Sequence, residues 1–211
     1  MAKNNLTDIT LVIDRSGSMA SIREDAQGGI DQFLDDQAKD GDALIRIVEF
    51  DTEYDNVCAG VPSRERPKYQ LIPRWGTALL DAVGKAINDT GQRLAAMPES
   101  ERPGLVMMII VTDGGENQSK EFTKKQIADM TKHQEDKYNW QFTYLGANQD
   151  AFAEAGGMGM STGTSGYAAH KSHEAYTAAS AKVRRGKAAL LANALDTYDN
   201  EFTAEEVRSM T

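Results

Sequence analysis

The 211-residue chain is predicted to fold as an α/β domain, a three-layer sandwich with helices on both faces of a mostly parallel sheet. Three observations lead there. Short apolar, β-branched runs alternate with longer segments of helical periodicity. The runs at 9–13 and 105–112 are continuously apolar, as strands covered on both faces must be. Each of the two gives way to an acidic residue and then to glycine or serine, where a parallel strand hands over to a loop. Alternation of this kind requires right-handed crossovers.

The elements follow in order. Residues 9–13 form the first strand. From Ser21 onward, Ile22, Ala26, Ile30, Phe33 and Leu34 recur at helical spacing until Gly41 closes the pattern. Residues 43–50 form a second strand and 56–61 a weaker third. The few residues between them suit a hairpin, which makes the third an antiparallel edge. Residues 63–73 are irregular, with three prolines within 62–73. Leu79, Leu80, Val83, Ala86, Ile87, Leu94 and Met97 then mark a long helix that opens near Thr77 and is stopped by Pro98. After the central strand at 105–112, Thr123 opens a helix with Gln126 completing a capping box and Phe122 placed to staple onto Ile127. Residues 140–145 form a fifth strand and 149–155 a short helix. The glycine-rich stretch 156–166 has room for a short sixth strand. Tyr176, Val183, Leu190, Ala194 and Tyr198 predict a closing helix, and Thr203 with Glu206, flanked by Phe202 and Val207, repeats the box and staple. The division expected is a domain over 1–170 and a C-terminal helical extension, 171–211, packed on it.

Composition is ordinary for a globular chain, 40% hydrophobic and 26% charged, and the length suffices for a core without staples. A net charge of −9 argues against nucleic acid as partner, since a phosphate backbone draws on clustered Lys and Arg. The one basic run, 182–187, reads as the solvated face of a helix. Cys58 stands alone, so no internal disulfide can form, and a cytoplasmic location is expected. Residues 1–7 are polar and carry no export signal. The longest apolar stretch is about a third of a membrane span, so no membrane association is expected.

Asp14, Ser16 and Ser18 occupy alternate positions directly after the first strand, and in a nearly extended chain a period of two turns them the same way. Asp113 follows the other central strand, and Thr77 sits where the long helix begins. Taken singly, each reads as a helix cap. Taken together, in the order Asp-x-Ser-x-Ser, Gly-Thr and Thr-Asp-Gly, they supply two carboxylates and three hydroxyls. Such a set suits a hard cation, Mg²⁺ or Mn²⁺, and poorly suits zinc. Neutral hydroxyls around the ion would leave it short of negative charge and open to an acidic side chain from another protein.

These residues also carry a family resemblance. Asp14-Arg15-Ser16-Gly17-Ser18-Met19, Trp75-Gly76-Thr77-Ala78-Leu79 and Val111-Thr112-Asp113-Gly114 resemble the metal-ion-dependent adhesion site of von Willebrand factor A domains. The stretch from Glu116-Asn117 through Tyr144-Leu145-Gly146-Ala147-Asn148-Gln149-Asp150 is similar to the stand-alone bacterial and phage members. The resemblance covers about 8–157 and stops short of the tail from Ser161 onward. It implies a Rossmann-like sheet of six strands with the short antiparallel one at an edge. It also implies that Ser16, Ser18 and Thr77 ligate the metal directly, with Asp14 and Asp113 ligating directly or through water. Arg15, Met19, Trp75 and Glu116 are candidates for a partner-binding rim. Trp75 departs from the small residue expected beside the metal loop. Exposed, it would suit an interface anchor; buried, it would plug the loop.

Other functions fit less well. A haloacid-dehalogenase-type enzyme wants a second Asp two residues after the first, where this chain has Ser16. No Gly-x-Ser-x-Gly elbow follows a strand, and His133, His170 and His173 all lie late. The glycine-rich 156–166 follows a helix and contains no Gly-Lys-Ser/Thr. The alternative of another class is a scaffold that binds through the 176–198 helix and keeps any metal as a structural element. The expectation is a binding module, not an enzyme.

Overall fold

The computed structural model describes residues 5–147, 150–160 and 163–211. Along the chain run β1 (Thr7–Asp14), α1 (Arg23–Asp40), β2 (Ala43–Phe50), β3 (Tyr54–Pro62), α2 (Leu79–Ala96), β4 (Leu105–Thr112), α3 (Lys124–Tyr138), β5 (Gln141–Gly146), α4 (Ala151–Gly157), β6 (Thr164–Gly166), α5 (Ser172–Leu191) and α6 (Ala204–Met210). The strands form one six-stranded sheet in the order β3-β2-β1-β4-β5-β6. Every neighbouring pair is parallel except β2 and β3, the hairpin at the edge. The α/β sandwich expected from the sequence is the fold observed.

The period of two in the strands divides the core into two layers. Ile9, Leu11 and Ile13 of β1 and Met107, Ile109 and Val111 of β4 face α1 and α5, where they pack with Ile30, Phe33, Tyr176 and Val183. Val12 of β1 and Val106, Met108 and Ile110 of β4 face the other way, toward Leu80, Val83 and Ile87 of α2 and Ile127 of α3. Helix contacts are close enough to require glycine. A Cβ at Gly29 of α1 would lie 2.2 Å from the Tyr176 ring of α5, and one at Gly84 of α2 would lie 2.7 Å from Phe122. Both capping boxes form, at Thr123 with Gln126 and at Thr203 with Glu206.

Several boundaries differ from expectation. α1 begins at Arg23 because residues Gly17–Ile22 wind as a 3-10 turn. The short helix expected over 149–155 runs Ala151–Gly157, with Asn148 and Gln149 outside the described residues. The closing helix starts earlier and stops earlier, at Ser172–Leu191. Beyond it Asn193 takes a left-handed φ of 53°, which turns the chain back on itself.

The basic run at 182–187 is a solvated face only at Arg184. Lys182 is 1% exposed, its ammonium set over the Phe202 ring at 4.5 Å and donating to the Gly163 carbonyl at 3.3 Å. Arg185 pairs with Glu206 of α6, and Lys187 donates to Gln37 Oε1 and the Gly41 carbonyl. These cations fasten the C-terminal segment and α1 to α5. Among the described residues no helix is long and apolar enough to cross a membrane.

β1 has β2 on one side and β4 on the other, so the connections leaving their carboxyl ends diverge over opposite faces of the sheet. The crevice at that divergence is where open α/β sheets bind ligands.

Candidate metal centre

Asp14 ends β1 alongside Thr112, the last residue of β4. Its carboxylate is fully buried and held from both ends. Oδ1 accepts the Ser16 amide at 2.6 Å, and Oδ2 accepts the Thr112 hydroxyl at 2.6 Å. Beyond Ser16 the chain is not extended, as the alternating pattern implies, but enters the 3-10 turn. The hydroxyls nevertheless meet. Ser16 Oγ lies 3.1 Å from Ser18 Oγ, which in turn donates to Asp113 Oδ1 at 2.7 Å.

Thr77 approaches from the far side of Gly114. A Cβ on that glycine would stand 3.2 Å from Ser18 Oγ and 3.5 Å from Thr77 Oγ1, so a side chain there would press on both oxygens. Backbone bonds fix the Thr77 loop between its neighbours. Gly17 donates to the Trp75 carbonyl at 2.9 Å and Arg74 to the Arg15 carbonyl at 2.7 Å. On the other side Thr77 N donates to Asn117 Oδ1 at 3.1 Å, and the Asn117 and Gln118 amides return to the Thr77 carbonyl. The structure thus links Asp14, Ser16, Ser18 and Asp113 by hydrogen bonds and sets Thr77 beside them.

Burial pushes the Asp14 carboxyl up to about 6; bonds from Thr112 and Ser16 oppose the rise, and the charge of Asp113 adds to it. Asp113 is also raised, again by burial first, with the Ser18 bond opposing. Among the described residues neither carboxylate has a Lys or Arg within ion-pair distance. The nearest in sequence, Arg15, points away to Glu49, Asp51 and Asp55. Nor do three or more His, Cys, Asp or Glu side chains gather anywhere among the described residues to hold a metal. Any ion at this centre therefore depends on the hydroxyls. Two carboxylates short of a counter-charge, with three neutral oxygens around them, fit a hard divalent cation.

Three of the four rim candidates are placed elsewhere. Arg15 is 6% exposed, its guanidinium donating to Glu49, Asp51 and Asp55, so it ties β2 and β3 to the site from below. Met19 is 0% exposed because the 3-10 turn folds it into the core beside α1. Glu116 accepts the Leu80 amide at 3.0 Å, the Gln118 amide at 2.9 Å and the Ser119 amide and hydroxyl at 2.6 Å. Its carboxylate caps the start of α2 rather than facing outward. Trp75 alone stands open, at 57% exposure, with Arg74 stacked 4.3 Å from its ring.

Supporting residues to which the sequence pattern assigns no role are Thr112, Asp51, Asp81 and Asn117. Asp81 accepts the amides of Lys120, Glu121 and Phe122 at 2.8 to 2.9 Å, answering the Glu116 cap from the opposite side. Asp51 directly follows β2 as Asp113 follows β4, so the rule of an acid after a strand could have found it. Glu154 is another that the pattern leaves out. It accepts Tyr144 OH at 2.9 Å, and its Oε1 lies 3.0 Å from where a Cβ on Gly115 would be.

No family model and no curated protein matches the chain. Solved structures do. A von Willebrand factor type A protein from Catenulispora acidiphila superposes with a TM-score of 0.62 at 16% identity, over 85% of this chain and 43% of its own. The PilB minor pilin from Streptococcus sanguinis gives 0.61 at 12% identity, over 85% of this chain and 61% of its own. Proximal thread matrix protein 1 from the mussel byssus gives 0.61 at 14% identity, over 89% and 47%. The chain spans less than two thirds of the length of each of these structures. At such identities the likeness shows the fold, that of a von Willebrand factor A domain.

Proposed function

We propose that the chain is a divalent-cation-dependent protein-binding module and not an enzyme. Asp14, Ser16, Ser18, Thr77 and Asp113 would hold Mg²⁺ or Mn²⁺, and the ion would supply a coordination position for an Asp or Glu side chain of another protein. The observation that carries this reading is the buried Asp14 and its neighbour Asp113, raised in pKa and without a cationic side chain, while Glu49, Asp51, Glu53 and Asp55 alongside each have one. A buried carboxylate left so is costly unless a cation joins it.

Binding, rather than turnover, is favoured by the lack of a histidine base beside the serines and of a Gly-x-Ser-x-Gly elbow after a strand. Among the described residues Ser16 and Ser18 hydrogen-bond to each other, to Asp14 and to Asp113, and no histidine bonds to any of them. Two of the structural neighbours, a minor pilin and a thread matrix protein of the mussel byssus, are compatible with the same reading.

Two measurements test it. Millimolar Mg²⁺ or Mn²⁺ should raise the melting temperature of the wild type and leave Asp14→Ala and Thr77→Ala unmoved. Partner capture from a host lysate should require the cation and fail in both variants. Capture that ignores chelator and both substitutions would instead favour the scaffold reading.

A further inference from the structure

Trp75 is a large, exposed apolar side chain two residues before Thr77, and its backbone is unusual. Its φ of 57° is a left-handed conformation that bulky residues rarely adopt and that persists only when surroundings impose it. Here the imposition is visible. The Trp75 carbonyl is taken by Gly17, between the two site serines, and the preceding amide of Arg74 is bonded to the Arg15 carbonyl. A Cβ on Gly17 would come within 3.1 Å of that Trp75 carbonyl, so the two loops touch. The Trp75 backbone is therefore held against the Ser16–Ser18 loop before any partner arrives.

One side of the indole carries Arg74, whose guanidinium is itself fixed by Asp51 at 2.6 Å and Glu53 at 2.6 Å. A clamped aromatic beside an ion gives contact area with little ordering cost, which is the profile of an interface hot spot. Ile72, 60% exposed, lies three residues away on the same loop. The charge behind the indole is Arg74 and the cluster it joins, in which Arg15 and Arg74 serve the four acids Glu49, Asp51, Glu53 and Asp55 and leave an excess of negative charge. A second acid on the partner would meet repulsion there; an apolar side chain would not.

Building on the cation-dependent reading above, we propose that Trp75 selects the partner segment: a single Asp or Glu for the ion, flanked by a bulky apolar side chain that packs on the indole. Acid-rich segments are disfavoured.

The probe is a library of short peptides with a fixed central Asp and randomised flanks, panned against the whole protein in Mg²⁺ and in EDTA. Wild type should enrich aromatic or large aliphatic residues beside the Asp and deplete further acids, in Mg²⁺ only. Trp75→Gly removes the indole and suits the left-handed backbone, so the fold is kept, which the melting temperature checks. This variant should still retain Asp peptides in Mg²⁺, with flank preference lost and affinity down about 30-fold; Trp75→Phe should recover most of both. Cation-dependent capture with the same flank preference in Trp75→Gly overturns the proposal, as does capture without any preference in wild type. Flank preference that needs Trp75 but not the cation would keep the anchor and sink the metal reading; no capture at all would sink both. Mg²⁺-dependent dimerisation lost in Trp75→Gly would make a second copy the occupant and overturn the assignment to a foreign segment.

Discussion

Replacing Asp14 by Asn should make the cation-free protein more stable while removing its response to cations. The side chain is fully buried and its pKa stands near 6 against an ordinary 3.8. The folded state therefore holds a proton that the unfolded chain gives up between those two values. Stability is complete below about pH 3.8 and declines as pH rises through 6, by about 3 kcal/mol in all, since each tenfold difference in proton affinity between the two states is worth about 1.4 kcal/mol. Asn fits the same bonds. Its carbonyl still accepts the Ser16 amide, and Thr112 Oγ1, relieved of donating to Asp14, can accept the new amide and donate to the Gly114 carbonyl it already approaches at 3.1 Å. In EDTA at pH 7.5 the variant should melt on the order of 6–12 °C above wild type, with the gain vanishing toward pH 4. With millimolar Mn²⁺ the order should narrow or reverse, because only wild type gains the linkage energy of binding. Thermal melts from pH 4 to 8 with and without Mn²⁺ decide it. A gain that is absent at pH 7.5, or equal at every pH, would show that the carboxylate charge is not what destabilises the metal-free site.

Lys182 offers a second linkage of opposite direction. Burial lowers its pKa from 10.5 to about 7, with the charge of Arg185 adding and Glu206 opposing. The unfolded chain then keeps a proton the fold releases between 7 and 10.5, so the penalty is full below 7 and fades as pH rises. Lys182→Met should stabilise the protein by a few kcal/mol, with about 5 as the ceiling, and chemical denaturation at pH 6 and 9.5 should show the larger gain at pH 6. Glu116→Ala frees the Leu80 amide at the start of α2 and two amides and a hydroxyl at Gln118 and Ser119 in its own loop; a loss of about 2 kcal/mol is expected, together with a weaker Mn²⁺-induced melting shift although Glu116 is not among the proposed ligands. Gly29→Ala would drive a methyl to 2.2 Å from the Tyr176 ring, and urea unfolding should register about 1–3 kcal/mol of overpacking.

What can be read from the sequence follows from how many physical signals agree at each place. β2 and β4 are bounded to the residue, since each runs from just after a glycine turn to an acid, and in β4 the run between is continuously apolar. The two capping boxes are equally plain, because each is a local pattern satisfied within four residues. The five site oxygens lie on loops whose positions follow from the strand order, so their convergence can be argued in advance. The C-terminal third is harder. The buried face of α5 is built largely from Ala175, Ala178, Ala179, Ser180 and Gly186, small residues that leave a faint hydrophobic stripe. Lys182 reads as solvated because nothing local reveals that Phe202 and Asn200 fold back over it. Arg15, Met19 and Glu116 fall on the rim only by adjacency in sequence. Their side chains are redirected by a distant cluster of acids on β2 and β3, by a 3-10 turn, and by an unsatisfied helix end.

Arg15 shows most clearly why this end of the sheet bears on function. It follows Asp14 directly, and where a strand runs out successive side chains point to opposite sides. Arg15 thus neutralises Glu49, Asp51 and Asp55 on one side, helped by Arg74 on Asp51, while Asp14 and Asp113 on the other receive hydroxyls and amides alone. Acids abound on this chain, and their number identifies nothing. The identifying feature is that two guanidiniums within reach serve the acids of the β2–β3 edge and leave the pair beside Ser16 and Ser18 without either. If that pair were a structural cap, redirecting a cation onto it would be harmless. If it awaits a divalent ion, Gly114→Lys, whose Cβ would press on the Ser18 and Thr77 oxygens while bringing an ammonium within reach of the pair, should abolish the Mn²⁺ response, and its loss of metal-free stability should be smaller above pH 6 than at pH 4.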